Sequence, residues 1–361
     1  MSTLTAQQLW QQLQQQGLVE GDTPPASDSA SPWYVRVMLG VAGWIGALFL
    51  LGFVGAAFAS VLESAAASLL LGIALCGAAY GIFRVAQNND FATQSGLAVS
   101  FAGQGLFVFG LFTAFKSESS IAGFIVFAFE LLLAIVIPNF IHRVLTSWAA
   151  MLALTFALNR LGIPGFPSGI VAAGFAVIWS NERYWALHGK LWRPIGYGLG
   201  LALLQMETLY FFSHDIWNLW AHSEPGWLMR HAHTFGTAFV AITLLWAVKR
   251  LLDRENVSFN SRIGMTAIGT ALLLGILSFS APGLATALLI LVLGFATGNH
   301  LLMGLGLLAL GGFVSHYYYQ LQNTLLFKSI VLAEAGTVLL IVRLGLQKYF
   351  PLADVKENPD A

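Results

Sequence analysis

The chain has 361 residues, of which 57% are apolar and only 9% are charged. Soluble domains carry roughly 25% charged residues, so this composition excludes a water-soluble globule and favours a helical membrane protein. The formal net charge is zero, which implies no polyanionic partner such as nucleic acid. The single cysteine, Cys76, excludes a disulfide within the chain.

Residues 1–32 are predicted to form a short cytosolic helix followed by a flexible linker. Thr5 and Gln8 have the spacing of a capping box, and Gly17 stands where a glycine would end the helix. The next segment, GDTPPASDSASP, has the composition of a linker. The opening lacks the basic start and short apolar core of a secretory signal peptide, so we expect no such peptide.

Residues 33–349 are predicted to form an all-α transmembrane bundle, and residues 350–361 a cytosolic tail. An apolar run of about 20 residues is long enough to cross a bilayer as a helix. The sequence contains twelve candidate spans: Val37–Ala59, Ser64–Phe83, Phe91–Phe115, Ser120–Ile141, Val144–Leu161, Gly165–Ser180, Leu191–Ser213, Ala232–Val248, Ile263–Phe279, Leu284–Ala296, Leu301–Val314 and Ser329–Leu346. The tenth and eleventh are short, and treating them as one re-entrant pair leaves ten crossings.

The basic residues are unevenly distributed between the two sides of this bundle. If the N-terminus is cytosolic and the spans alternate, thirteen of the 17 Lys and Arg residues fall on the cytosolic side. Cytosolic loops of membrane proteins carry such an excess. The pattern therefore predicts a multi-pass protein with both termini in the cytosol.

Three glutamates, Glu130, Glu207 and Glu334, and one glutamine, Gln104, lie inside predicted spans. A charge there costs about 2.5–3.5 kcal/mol, so intramembrane ionisable groups usually point to function. One interpretation makes the glutamates carriers of protons or cations in a transporter. The other, which we favour, makes each glutamate protonated or hydrogen-bonded to a neighbouring helix, where it fixes packing. Gln104 is interpreted as a hydrogen bond between helices.

Four histidines, His214, His222, His231 and His233, lie in a predicted outer loop (HDIWNLWAHSEPGWLMRHAH). They could form a pH-sensing or partner-binding site, because imidazole titrates near physiological pH. A metal site would need three or four converging ligands, and we predict no metal site here. We favour a third interpretation, in which residues 216–220 form an amphipathic helix lying flat at the membrane surface.

Signatures of catalysis do not occur in the sequence. It contains no H-E-x-x-H motif, no G-x-S-x-G elbow and no G-x-x-x-x-G-K-[ST] phosphate loop. No catalytic residue and no cofactor is therefore predicted, and we do not expect an enzyme.

Two segments carry a family resemblance: PWYVRVMLGVAGWIGALFLLGFVGA after the linker, and HYYYQLQNTLLFKSIVLAEAGTVLLIVRL near the end. Both resemble DUF4401, an uncharacterised bacterial membrane domain similar to DUF2157, and Tyr317–Tyr319 with Thr324, Leu325, Lys328 and Ser329 carry the closest match. The resemblance implies the bacterial inner membrane, and as a partner a small accessory protein of the GDYXXLXY type. It assigns no activity.

These observations favour a membrane platform of the bacterial envelope that binds an accessory protein through its outer face. The absence of catalytic motifs and the long aromatic outer segment are the reasons for this interpretation. The alternative is a secondary transporter or permease that uses the intramembrane glutamates, with Glu130 near the middle of its span.

Overall fold

The structure, a computed structural model, describes residues 64–320 except 86–88, 116–118, 221–226 and 282, together with isolated helical residues outside this range. The predicted N-terminal helix and linker, the first and last spans and the C-terminal tail lie outside the described residues. Within the described part the chain is helical and contains no strand, which confirms the all-α prediction there.

The described residues form eleven helices, which fall into two compact units, Met1–Ser117 and Glu118–Ala361. The helices are α1 (Ala65–Val85), α2 (Asp90–Phe115), α3 (Ser120–Val136), α4 (Phe140–Arg160), α5 (Phe166–Ser180), α6 (Glu182–Trp220), α7 (Trp227–Arg230), α8 (Ala232–Arg254), α9 (Arg262–Leu277), α10 (Leu284–Ala296) and α11 (His300–Gln320). Each of the ten predicted spans that fall in this part overlaps mainly with one helix, although several of the ends differ.

Four of these helices, α1, α2, α4 and α8, are long and apolar enough to cross a membrane, judged by length and composition. Large apolar side chains are also exposed along several helices, including Leu70 on α1, Ile242 on α8 and Leu308 on α11, which is 77% exposed. Extended apolar surface of this kind is rare on soluble monomers and marks contact with lipid or protein. The chain therefore has the surface of a membrane protein, while the count of twelve crossings stays a prediction.

In the first unit, α1 and α2 pack backbone against backbone. A Cβ atom added to Gly103 would lie 2.7 Å from the Gly72 carbonyl oxygen and 2.8 Å from Cys76 Sγ. A Cβ atom added to Gly72 would lie 2.7 Å from the amide nitrogen of Phe107. These distances are too short for a real Cβ atom, so only glycine permits the approach, as at close helix crossings in membranes.

In the second unit, the short helices α5 and α10 carry much of the core. α5 packs on α6 and α8, and α10 packs on α8 and α11. The large side chains of Phe175, Leu203, Leu244, Leu289 and Leu293 are buried in one continuous cluster. Because α10 has only 13 residues, its burial comes from longer neighbours that surround it.

The boundary between α3 and α4 differs from the prediction of one span over Ser120–Ile141. α3 ends at Val136, and Ile137 is extended with φ −82° and ψ 116°. Pro138 disfavours helical geometry in the residue before it, which explains the early end. Asn139 then caps α4 by accepting a hydrogen bond from the His142 amide at 2.9 Å.

α6 is longer than the predicted span Leu191–Ser213, and it contains a break at His188 (φ −138°, ψ 38°). Pro194 lies inside the helix and cannot donate to the carbonyl of Lys190 one turn earlier. Arg143 Nη1 donates to that carbonyl instead, at 2.8 Å. Arg143 also donates to the carbonyls of Ala134 (2.9 Å) and Ile135 (3.1 Å) at the end of α3. One guanidinium thus satisfies three carbonyls that helix geometry leaves without donors.

Candidate functional site

Glu207 on α6 is a buried acidic side chain held by a neighbouring helix. The residue is 8% exposed, and its Oε1 accepts a hydrogen bond from Thr286 Oγ1 of α10 at 2.8 Å. Thr286 is fully buried. A buried carboxylate is tolerated when such donors satisfy it, so the contact explains how the carboxylate is accommodated here.

His233 on α8 lies on the other side of the same carboxyl group. Its Nε2 is 3.8 Å from Glu207 Oε2 and 3.4 Å from Thr237 Oγ1. His233 and Thr237 are four residues apart and therefore share one face of α8. We call Glu207, His233, Thr237 and Thr286 the Glu207 cluster; it joins α6, α8 and α10.

The cluster lies where two helices begin. Thr286 is the third residue of α10, and His233 is the second residue of α8. The positive ends of both helix dipoles are therefore close to the Glu207 carboxyl group. α10 begins after Gly283, whose φ of +81° is a conformation that glycine adopts readily.

A cavity of about 410 Å³, widely open to the surface, lies between α6 and α11, beside the cluster. Thr208, the residue after Glu207, lines it, and Glu207 itself does not. The lining is otherwise mostly apolar: Leu204, Leu305, Leu308, Ala309, Gly312, Phe313 and His316. Its volume falls in the range of about 300–1,000 Å³ that is usual for small-molecule sites.

Glu130 on α3 has a different environment. It is 2% exposed, and among the described residues its Oε2 has no hydrogen-bond partner. It lies on the buried face of α3 with Gly123, Val126 and Leu133. Glu130 does not line the cavity between α6 and α11.

Of the remaining predicted residues, the structure describes the side chains of Gln104 and His231, and neither is a member of the cluster. Gln104 on α2 donates to Ser100 Oγ of its own helix at 3.2 Å. His231 is exposed, and its Nδ1 is 2.9 Å from the Trp227 carbonyl oxygen. His222 and Glu334 lie outside the described residues. Of His214, only the backbone is described, within α6.

The outer segment itself differs from the prediction. The helix α6 continues through His214 to Trp220, so residues 214–220 extend the preceding span and do not form a separate surface helix. Polar residues after Ser213 suggested that the helix had ended, whereas helix formation does not require an apolar sequence. Within the described residues there is no group of three or more side chains that could hold a metal ion.

The structure therefore joins Glu207 and His233, which the sequence had placed in separate groups of candidates. Thr286 and Thr237 were missed. The spacing of Thr237 from His233 was a usable signal, because residues four apart share a helix face. No signal in the sequence pointed to Thr286, 79 residues from Glu207.

Comparison with protein families identifies the relatives of this chain. A family model described as a domain of unknown function, DUF4401, matches residues 32–349. The chain belongs to the DUF4401 family. The match includes every residue of the Glu207 cluster, and it confirms the resemblance seen in the two terminal segments. No curated protein matches the chain, and no solved structure matches it.

Proposed function

We propose that this DUF4401 protein is a secondary transporter of the bacterial inner membrane, with the Glu207 cluster as its ion-coupling site. The observation that carries the proposal is the contact of one buried carboxylate on α6 with side chains of two other helices. Ionisable groups inside membrane helices are costly and usually serve a pathway for ions or solutes. This cluster gives Glu207 the role that the sequence interpretation had given mainly to Glu130.

The distribution of basic residues supports the proposed orientation, in which both termini are in the cytosol. Tyr197 near the start of α6 accepts a hydrogen bond from Asn299 at 2.7 Å, at the end of the bundle opposite Thr286. Arg193 precedes Tyr197, and Arg254 is at the end of α8 opposite His233. Basic residues concentrate on the cytosolic side of membrane proteins. In the proposed orientation the Glu207 cluster is therefore in the outer half of the bundle.

The open cavity between α6 and α11 offers space for a small solute, which supports the transporter proposal. Its lining includes Thr208 on the same turn as Glu207. A change in the charge of Glu207 would therefore act on a helix that also lines the cavity. The mostly apolar lining favours a small solute with substantial apolar surface over a highly polar one such as a sugar.

Electrical recording on reconstituted protein tests the proposal. Proteoliposomes adsorbed on a solid-supported membrane are given concentration jumps of apolar amino acids, short monocarboxylates, organic cations and sugars. We expect transient currents for at least one of the less polar classes. Glu207→Gln should reduce these currents at least about tenfold, which corresponds to about 1.4 kcal/mol of lost interaction. Glu130→Gln is the matched control, since it neutralises the other glutamate that is buried among the described residues.

Two results would overturn the proposal. One is the lack of both a protein-dependent current and a protein-dependent uptake of radiolabelled solute for every class of solute, since an electroneutral carrier gives uptake without current. The other is an equal current from the wild-type protein and the Glu207→Gln variant for each solute that moves. A current that is lost in Glu130→Gln and kept in Glu207→Gln would place the coupling site on α3 and not on α6.

An envelope platform is the second candidate, and an exposed aromatic surface favours it. Trp227 is 65% exposed, and its ring lies 5.0 Å from that of His231 and 5.8 Å from that of Phe235. Aromatic residues are enriched where proteins bind one another. For a small GDYXXLXY protein as partner, co-purification in mild detergent should be lost in Trp227→Ala. Equal recovery with both forms, or recovery with neither, would reject this candidate.

A further inference from the structure

Two potential proton acceptors face each other in the Glu207 cluster. Glu207 Oε2 and His233 Nε2 are 3.8 Å apart, which is longer than a hydrogen bond. An ionised carboxylate only accepts, and imidazole Nε2 also accepts when the ring proton is on Nδ1. Close approach of these atoms therefore requires a proton on Nε2 or on the carboxyl group.

We propose that Glu207 and His233 together take up a proton from the outer aqueous phase, and that this proton is the coupling ion. The inference rests on the proposed transport function and names its ion. Proton uptake makes the imidazole a donor to Oε2 and draws α8 toward α6. When the proton leaves from Nε2 and the remaining ring proton is on Nδ1, two acceptors are opposed and the two helices separate.

The donor set favours a proton over a calcium or magnesium ion. Hard cations such as calcium require six or more oxygen ligands, and magnesium requires six in octahedral geometry. The cluster supplies two carboxylate oxygens and the hydroxyl groups of Thr286 and Thr237. Its fifth polar atom, Nε2 of His233, is a poor ligand for such ions. Thr286 Oγ1 also holds Oε1 at 2.8 Å, which leaves Oε2 as the oxygen that meets the proton.

The described elements around the pair carry several other titratable and charged groups. α10 and α5 contain no titratable residue. The neighbouring elements contribute His316 on α11, Arg230 on α7, Arg160 at the end of α4 and His231 before α8. On α6 itself, His214 and Asp215 follow further along the chain. The charged residues of α8 other than His233, and Arg262 on α9, are at the opposite ends of those helices.

Infrared difference spectroscopy on the reconstituted full chain tests this inference, with the proton itself as the probe. The pH is stepped between about pH 5 and about pH 8, the range in which imidazole changes charge. We expect carboxyl and imidazole bands that change together in the wild-type protein. Both bands should be lost in Glu207→Gln and in His233→Gln. His231→Gln is the matched control and should keep them, because His231 is exposed outside the cluster.

Survival of both bands in the two cluster variants would overturn the inference. If Glu207→Gln does not fold, wild-type protein with isotope-labelled histidine gives an independent test. Carboxyl and labelled imidazole bands that change at clearly different pH values would then overturn it. Solute currents without these bands would leave the transporter proposal standing and reject the proton. The bands without any solute current or uptake would support the proton site and reject transport.

Discussion

Glu207 and Glu130 are both buried acidic residues of the second unit, yet their surroundings differ. Glu207 accepts a hydrogen bond from Thr286 and faces His233. Glu130 Oε2 has no hydrogen-bond partner among the described residues. A buried polar group without a partner costs stability, whereas a satisfied one costs little. We therefore expect opposite changes in stability when the hydrogen bond to Glu207 is removed and when the carboxyl group of Glu130 is replaced.

Thr286→Val tests the support of Glu207, because valine keeps the shape of threonine and removes the donor. We expect the free energy of unfolding to fall by about 1–3 kcal/mol, the cost of leaving a buried acceptor unsatisfied. Reversible unfolding in mixed micelles of detergent and SDS measures it. Thr243→Val is the control, since Thr243 donates only to the Phe239 carbonyl of its own helix. Equal losses for both variants would contradict the special role of Thr286.

Glu130→Leu tests the opposite case, replacement of a buried carboxyl group by an apolar side chain of similar size. Because Oε2 has no partner among the described residues, we expect the free energy of unfolding to rise by about 1–3 kcal/mol. The same unfolding titration measures the change, with Glu130→Ala as the control that leaves a cavity and lowers stability. A loss of stability in Glu130→Leu would show that the carboxyl group makes a favourable contact.

At the scale of helices, the sequence predicted the existence of elements better than their ends. The tenth span was predicted at Leu284–Ala296, and α10 has these same bounds, because glycine and polar residues flank its apolar run. α3 ends at Val136, before the predicted end of its span at Ile141, because Pro138 disfavours helical geometry at Ile137. α6 extends beyond both ends of the span predicted at Leu191–Ser213, because hydropathy predicts the part of a helix that crosses a membrane and not the whole helix.

The candidate site was predictable only in part, for a related reason. Glu207 and His233 were each named because their residue types are unusual in or near a span. Their proximity depends on how α6, α8 and α10 pack, and helical periodicity carries no information on which helices are neighbours. Thr286 is an ordinary residue of an apolar helix until the packing places it beside Glu207.

Gly103→Ala tests the close packing of α1 on α2. The added Cβ atom would lie 2.7 Å from the Gly72 carbonyl oxygen, so the helices must move apart. We expect a loss of about 1–3 kcal/mol in the free energy of unfolding, the usual cost of overpacking. Gly105→Ala is the matched control, since nothing lies within 4 Å of its added Cβ atom. There the higher helix propensity of alanine should leave stability unchanged or raise it.

Arg143→Gln tests the contact that joins the ends of α3 and α6 to α4. The substitution removes the guanidinium that donates to three main-chain carbonyls. We expect the free energy of unfolding to fall by about 1.5–3 kcal/mol, the range for hydrogen bonds to charged groups. Arg160→Gln is the control, because the Arg160 guanidinium lies 5.5 Å from the ring of Phe156 on its own helix. Similar thermal unfolding midpoints for the two variants would contradict the prediction.

At the scale of the whole molecule, the proposed orientation can be tested on intact cells. Thr234→Cys and Ser258→Cys, each in a Cys76→Ala background, place one thiol near either end of α8, at positions that are exposed. We expect a membrane-impermeant maleimide to label position 234 in intact spheroplasts and position 258 only after lysis. The reason is that basic residues near Arg254 favour the cytosol. The reverse pattern would invert the proposed topology.

The length of α6 has a consequence for the lipid around the protein. After its break at His188, the helix continues over residues 189–220, about 48 Å at 1.5 Å per residue. The hydrocarbon layer of a bilayer is about 30 Å thick. In the proposed transporter, where α6 crosses the membrane, the helix must tilt or project from this layer, and the adjustment changes by fractions of a kcal/mol per ångström of bilayer thickness. In the proposed transporter, the acyl-chain length of the lipids therefore acts on the helix that carries Glu207, so the protein responds to membrane thickness.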